Sequence, residues 1–225
     1  MIPHNRPTLG LEEEQAALRI IRSGQLSNGE EVRKFESDFC KFLGLPDGHA
    51  VAVSSGSSAL FLAMKVLFSE KETVTIPGYV CSALRNSIEL MKCDMEVVDV
   101  KKNSPNIDNE LIRNNSNPKI IPHMYGIPVD ISKLKNSVVI EDCSHAIGAK
   151  INNKFVGTIG EIGIFSFFAT KLMTSGGFGG MIVSNDHSKI SEIRNFIEYD
   201  GKLDKKLHFN FQMGNLHAAI GREQL

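Results

Sequence analysis

Three short polar clusters in this 225-residue sequence each follow an apolar run, and together their side chains could do chemistry. Ser54 to Ser58, "SSGSS", follows "HAVAV"; Asp142 to His145, "DCSH", follows "SVVIE"; Lys171 follows "FSFFAT". The first cluster suits an anion. Gly56 lets the backbone come close, the N–H groups of a following helix point at a phosphate, and Ser57 and Ser58 add hydroxyl donors. No Gly-Lys-Ser/Thr follows, so it is not a Walker loop. Asp142 offers a carboxylate, His145 an imidazole and Lys171 an amine. An amine beside a buried strand end loses hydration, which favours its neutral, nucleophilic form. The glycines of "TSGGFGG" then permit tight turns and close approach to a ligand. Each feature also has a plainer reading. Serines and aspartates cap helices, a lone histidine is usually a satisfied half-buried ring, and a lone lysine is usually solvated.

The surrounding elements decide between these readings. "LEEEQAALRIIRSG" opens with acids and ends with arginines before Gly24, which suits a helix dipole and a glycine C-cap. "EEVRKFESDFCKFLG" puts Val32, Phe35, Phe39 and Phe42 on one helical face and stops at Gly44. "HAVAV" predicts a buried strand and "SALFLAMKVLF" a helix apolar nearly all round. Strands follow at "TVTIPG", "MEVVDV", "KIIPHMYG", "SVVIEDCSHA", "IGIFSFFAT" and "GGMIVSN", and a helix at "VCSALRNSIELM". "DHSKISEIRNFIEY" predicts a helix capped by Asp186 with Ile190, Ile193 and Ile197 inward. "KKNSPNIDNELIRNNSNP" reads as a surface connection with a short helix. Continuous β-branched strands alternating with helices mean an α/β fold, a mostly parallel sheet covered on both faces. In such sheets ligands bind beyond the carboxyl ends of the strands, where all three clusters fall.

The composition is that of a globular protein, 42% hydrophobic and 23% charged, long enough for a substantial core. A net charge of -1 points to neither nucleic acid nor an anionic membrane. The four cysteines are scattered without a CxxC pair, which argues against a metal site and a disulfide scaffold and suits a reducing cytosol. No signal core and no bilayer-length apolar run is present, so a cytoplasmic protein is expected. One cofactor uses the whole set. Pyridoxal phosphate needs a lysine for a Schiff base, a carboxylate to keep its pyridine nitrogen protonated, and a phosphate cup at a helix N-terminus.

Motifs in the same order resemble the DegT/DnrJ/StrS-type aminotransferases over nearly the whole chain. They are "NRPTLG", "RSGQLSNGEEVRKFESDFCKFLG", "AVSSGSSAL", "IPHMYGIPVD", "IEDCSHAIGA", "GIFSFFATK" and "FNFQMGNLHAAIGREQL". The resemblance implies the large domain of a fold type I aminotransferase, a three-layer sandwich, spanning residues 1–225. It implies transfer of an amino group, with glutamate as donor, to a nucleotide-linked keto-sugar in polysaccharide or related sugar biosynthesis. It makes Lys171 the Schiff-base residue, Asp142 the partner of the pyridine nitrogen and His145 the neighbour of the phenolic oxygen. Gly56, Ser57, Ser58 and Ser166 would hold the phosphate. Asn210 would reach the phosphate of a second subunit, which implies a homodimer with a shared site. Relatives that run as sugar dehydratases replace the lysine, which is retained here.

The chain departs from the family pattern in places. Where an aromatic ring commonly stacks on the cofactor stands Cys81, with Tyr79 two residues earlier, so either is a candidate. The acid of the usual "GEGG" run is Phe178, and Gln212 and Gln25 stand for a basic residue and a tryptophan. The family continues into a smaller C-terminal domain, which the sequence lacks. A fragment, a split gene or a complete minimal domain each fits that, with a truncated piece as the expectation. A noncatalytic remnant that needs a separate small domain is the alternative function.

Overall fold

The computed structural model describes residues 5–134 and 136–225. Its centre is a seven-stranded sheet in the order β1-β9-β8-β5-β4-β2-β3. The strands are β1 (Ala50–Val53), β2 (Thr73–Pro77), β3 (Asp94–Val98), β4 (Lys119–Pro122), β5 (Val139–Asp142), β8 (Ile162–Ser166) and β9 (Gly180–Val183). The ladders β3-β2-β4-β5-β8 are parallel, and β9 runs against both β8 and β1. The mostly parallel α/β sheet expected from the sequence is therefore present, with one reversed strand.

Side chains alternate between two cores along these strands, as a period of two requires. Val51, Val53, Ile162, Ile164 and Ile182 join the helices α3 (Gly56–Leu67), α4 (Ser82–Leu90) and α6 (His187–Ile197) on one face. Ala50, Ala52, Phe165, Phe167, Met181 and Val183 face α2 (Glu30–Leu43) and α7 (Asn215–Gln224) on the other. The α2 face carries an aromatic cluster in which Phe39 meets Phe165 and Phe167 at 5.0 and 5.7 Å between ring centroids. Outside it, α1 (Leu11–Ser23) packs on α7 through Ala16, Ile20 and Ala219. Helices on both faces complete a three-layer sandwich.

Helix ends follow their chemistry. Gly24 and Gly44 close α1 and α2 in the left-handed region at φ 70° and 72°. The Asp186 carboxylate caps α6 by accepting from the Ser188 N–H. The polar connection after β3 holds the short helix α5 (Asn109–Ile112). A small hairpin, β6 (Lys150–Ile151) with β7 (Lys154–Phe155), was not legible in the sequence and turns through Asn152 and Asn153, both at positive φ. No helix among the described residues is long and apolar enough to cross a membrane.

Candidate active site

The carboxyl ends of β1, β4, β5 and β8 open on one cavity of about 470 Å³, within the usual range for small-ligand sites. Its walls include Gly56, Ser57, Cys81, Asp142, His145, Ser166 and Lys171, so most of the residues singled out by the sequence converge. Ser55, Ser144 and Thr170 also line it. They lie inside the quoted motifs, in which no individual role was assigned to them.

The anion cup is built where β1 turns into α3. Ser55 caps the helix through a hydroxyl that accepts from the Ser58 N–H at 3.0 Å, and Ser58 Oγ accepts from the Ser55 N–H at 2.9 Å. Ser58 is thereby buried in the capping box and does not line the cavity. The N–H groups of Gly56 and Ser57 lie in the first helical turn, where no intrahelical acceptor exists. A Cβ on Gly56 would stand 2.7 Å from the Ser166 Cβ, so only glycine lets the helix start meet the end of β8. Gly180 on β9 does the same from below, where a Cβ would stand 2.5 Å from the Ser55 carbonyl oxygen.

Asp142 ends β5 and is only 9% exposed. Its Oδ1 accepts from the Ser144 N–H at 3.0 Å, which leaves Oδ2 with no partner among the described residues. His145 follows, and its Nδ1 is buried with no hydrogen-bond partner among the described residues. Burial, aided by the positive charge of Lys171, pulls the imidazole below the ordinary histidine range, while Asp142 acts in the opposite sense. Those influences place the amine, the carboxylate and the imidazole in one electrostatic neighbourhood. Lys171 itself sits in a turn whose N–H donates to the Phe168 carbonyl at 2.9 Å.

Beneath the cavity a buried brace fixes the end of β5. His123 Nδ1 accepts from the Val129 N–H at 2.9 Å and Nε2 faces Glu141 Oε2 at 3.0 Å. Glu141 Oε1 accepts from the N–H groups of Ile159 and Gly160 at 2.8 Å each. Burial alone would raise the Glu141 carboxyl, but the His123 bond and charge with the backbone donors bring it below the ordinary value. His123, Glu141 and Cys143 lie within metal-binding reach of one another, yet the nitrogens and both carboxylate oxygens are already engaged.

The remaining sequence candidates are placed as follows. Cys81 stands at the N-cap position of α4, without a side-chain capping bond, and lines the cavity. Tyr79 stands outside the lining, its hydroxyl 2.6 Å from that of Tyr125. Asn210 is exposed and does not line this chain's own cavity. Phe178 lines it and packs edge-on against Phe168 at 5.5 Å.

Comparison with known proteins accords with this geometry. The chain is 34% identical to GDP-perosamine synthase of Vibrio cholerae over 242 aligned positions, covering all of this chain and 65% of that protein. It spans about 65% of the length of that protein and of the GDP-perosamine synthase of Escherichia coli O157:H7. Among solved structures, an aminotransferase of Psychrobacter cryohalolentis superposes with a TM-score of 0.90 at 27% identity, over 97% of this chain and 62% of that one. A protein of Streptococcus pneumoniae described as a sugar aminotransferase and solved in its PLP form shares the fold, with a TM-score of 0.90 at 20% identity over 99% and 66%. The family model of the DegT/DnrJ/EryC1/StrS aminotransferases matches residues 7–225, and the chain belongs to that family.

Proposed function

We propose that this chain is the cofactor-binding part of a pyridoxal-phosphate aminotransferase that moves an amino group from glutamate to a nucleotide-linked keto-sugar. The observation that carries the reading is the single cavity that gathers Lys171, Asp142, His145 and the first turn of α3. Pyridoxal phosphate fits what these residues offer. Asp142 lines the cavity with one carboxylate oxygen unpartnered among the described residues, and the first-turn N–H groups of Gly56 and Ser57, which have no intrahelical acceptor, suit an anion.

When bound, the cofactor supplies an electron sink for the pair left when a substrate carbon loses its proton. The chain's residues do the rest. Asp142 is held by the Ser144 N–H, and its carboxylate would keep a proton on the ring nitrogen. His145 would meet the phenolic oxygen. Gly56 and Ser57 N–H groups, with the Ser57 and Ser166 hydroxyls, would hold the phosphate. Lys171 Nζ would hold the cofactor covalently. Its amine, once free, would take the proton from the donor's Cα and, in the acceptor half-reaction, would deliver one to the sugar carbon that receives the amine. Phe168 and Phe178 pack edge to face on the same wall. Cys81 is the candidate on the cavity side where a stacking ring is usual. The exposure of Asn210 supports its being offered to a second copy of the chain in a homodimer.

Incubation with pyridoxal phosphate, glutamate and a GDP-linked 4-keto-6-deoxy sugar tests this reading. It predicts 2-oxoglutarate in step with amino-sugar nucleotide, both lost in Lys171→Ala. Glutamate that stays unconverted while the cofactor is bound would contradict it.

A further inference from the structure

Tyr125 holds a strained backbone and yet leaves its ring in water. It lies in the left-handed region, at φ 54° and ψ 29°, where Cβ crowds the following carbonyl. At 62% exposure, burial of the ring does not offset that strain. Hydrogen bonds fix the turn instead. The buried Asn106 accepts from the Met124 N–H through Oδ1 and donates through Nδ2 to the Ile127 carbonyl, each at 2.9 Å. The His123 ring takes the Val129 N–H. Strain kept in place by its surroundings is characteristic of functional positions.

The Tyr125 hydroxyl meets that of Tyr79, itself 51% exposed, at 2.6 Å. Tyr79 directly precedes Val80 and Cys81, which line the cavity, and Tyr125 directly follows Met124, which also lines it. The bond therefore ties the β2–α4 and β4–β5 connections together at the rim. The Tyr125 ring lies 5.7 Å from the His145 ring, tilted 33°. His145 in turn feels the charges of Lys171 and Asp142. Through the Tyr125 ring the pair thus stands beside His145, which lines the cavity with Lys171 and Asp142.

We propose that Tyr79 and Tyr125 form the rim that binds the hexose ring of the acceptor and sets its orientation. Fixed phenols offer flat apolar faces and hydroxyls that both donate and accept. A sugar matches that pairing, with C–H groups on its faces and hydroxyls at its edge. The sugar carbon that receives the amine must come to Lys171, so the rest of the same ring meets the next wall outward, His145 and Tyr125. The nucleotide lies beyond. A mutual hydrogen bond and few side-chain torsions leave little entropy to lose on binding. The assignment rests on the reading of the acceptor as a nucleotide-linked sugar.

The sequence makes the test direct, because it holds no tryptophan and three tyrosines, of which only Tyr199 is outside the pair. The chain labelled with meta-fluorotyrosine is titrated with GDP-mannose, and with GDP as control, while fluorine NMR follows each ring. GDP-mannose should move the Tyr79 and Tyr125 signals, GDP should move neither, and Tyr199 should stay still under both. By calorimetry, Tyr79→Phe and Tyr125→Phe should each weaken GDP-mannose about three- to tenfold, with Tyr199→Phe unchanged. Binding of GDP-mannose with both rim signals still, or equal affinity in the phenylalanine variants, would overturn the proposal. Shifts caused by GDP alone would assign the pair to the nucleotide and overturn it as well. Failure of the unsubstituted chain to bind GDP-mannose, UDP-N-acetylglucosamine or either free nucleotide would instead sink the nucleotide-sugar reading, and the rim with it.

Discussion

At the scale of single residues, the cavity sorts its groups by charge. Asp142 is nearly buried and keeps one carboxylate oxygen open. Asp142→Asn preserves shape but removes the charge that would hold a proton on the ring nitrogen. It should leave pyridoxal phosphate bound and slow the glutamate half-reaction by about a hundredfold or more, read by stopped-flow absorbance. His145 gives a pH prediction with a definite sign. Its imidazole is held below the ordinary value of 6.5 by burial first and Lys171 second. The folded protein therefore binds that proton less tightly than the unfolded chain does. The stability His145 contributes is complete above about pH 6.5 and is lost as pH falls through its lowered value. Urea denaturation of His145→Gln should show a shallower decline between neutral pH and pH 5 than the unsubstituted chain. An identical decline would remove His145 from the account.

At the scale of elements, close backbone approach positions these side chains. Gly180→Ala would drive a methyl against the Ser55 carbonyl, which should cost about 1–3 kcal/mol in urea unfolding and loosen the start of α3. Gly56→Ala pushes on Ser166 instead and should weaken pyridoxal phosphate about tenfold in an equilibrium titration while the fold persists. A separate clamp holds the β1 edge. Glu36 on α2 accepts from the Ala52 N–H at 2.8 Å and from Arg194 of α6 at 2.9 Å, and Arg194 also donates to the Ala50 carbonyl at 3.0 Å. Glu36→Ala should cost about 2 kcal/mol, since it strips a buried N–H and leaves a half-exposed guanidinium. The strands were legible because those buried on both faces read as unbroken apolar runs, as "HAVAV" and "SVVIE" do. The β6–β7 hairpin was not, because strands of two residues are too short to show a period. Ser57 and Ser58 could not be told apart either. One helical step separates a hydroxyl facing the cavity from one spent on a capping box.

At the scale of the whole molecule, the topology carries the argument. Parallel strands aim their carboxyl ends at one place, so Ser57, Asp142 and Lys171 meet although more than a hundred residues separate the first from the last. That convergence was legible, since polar clusters after apolar runs are its signature. The pairing of Tyr79 with Tyr125 was not, because nothing local announces a contact between two loops 46 residues apart. A ligand that binds only the assembled cavity must stabilise the whole fold. Pyridoxal phosphate at a hundred times its Kd should add about 2.7 kcal/mol, visible as a higher Tm, and phosphate alone should add far less. The central claim is that this cavity seats the cofactor on Lys171. Borohydride reduction of the purified chain with pyridoxal phosphate, followed by peptide mapping, tests it most directly. The account predicts one dominant label, on Lys171, and none on that peptide in Lys171→Ala. A folded chain that takes no label, or that spreads it over surface lysines, would contradict it.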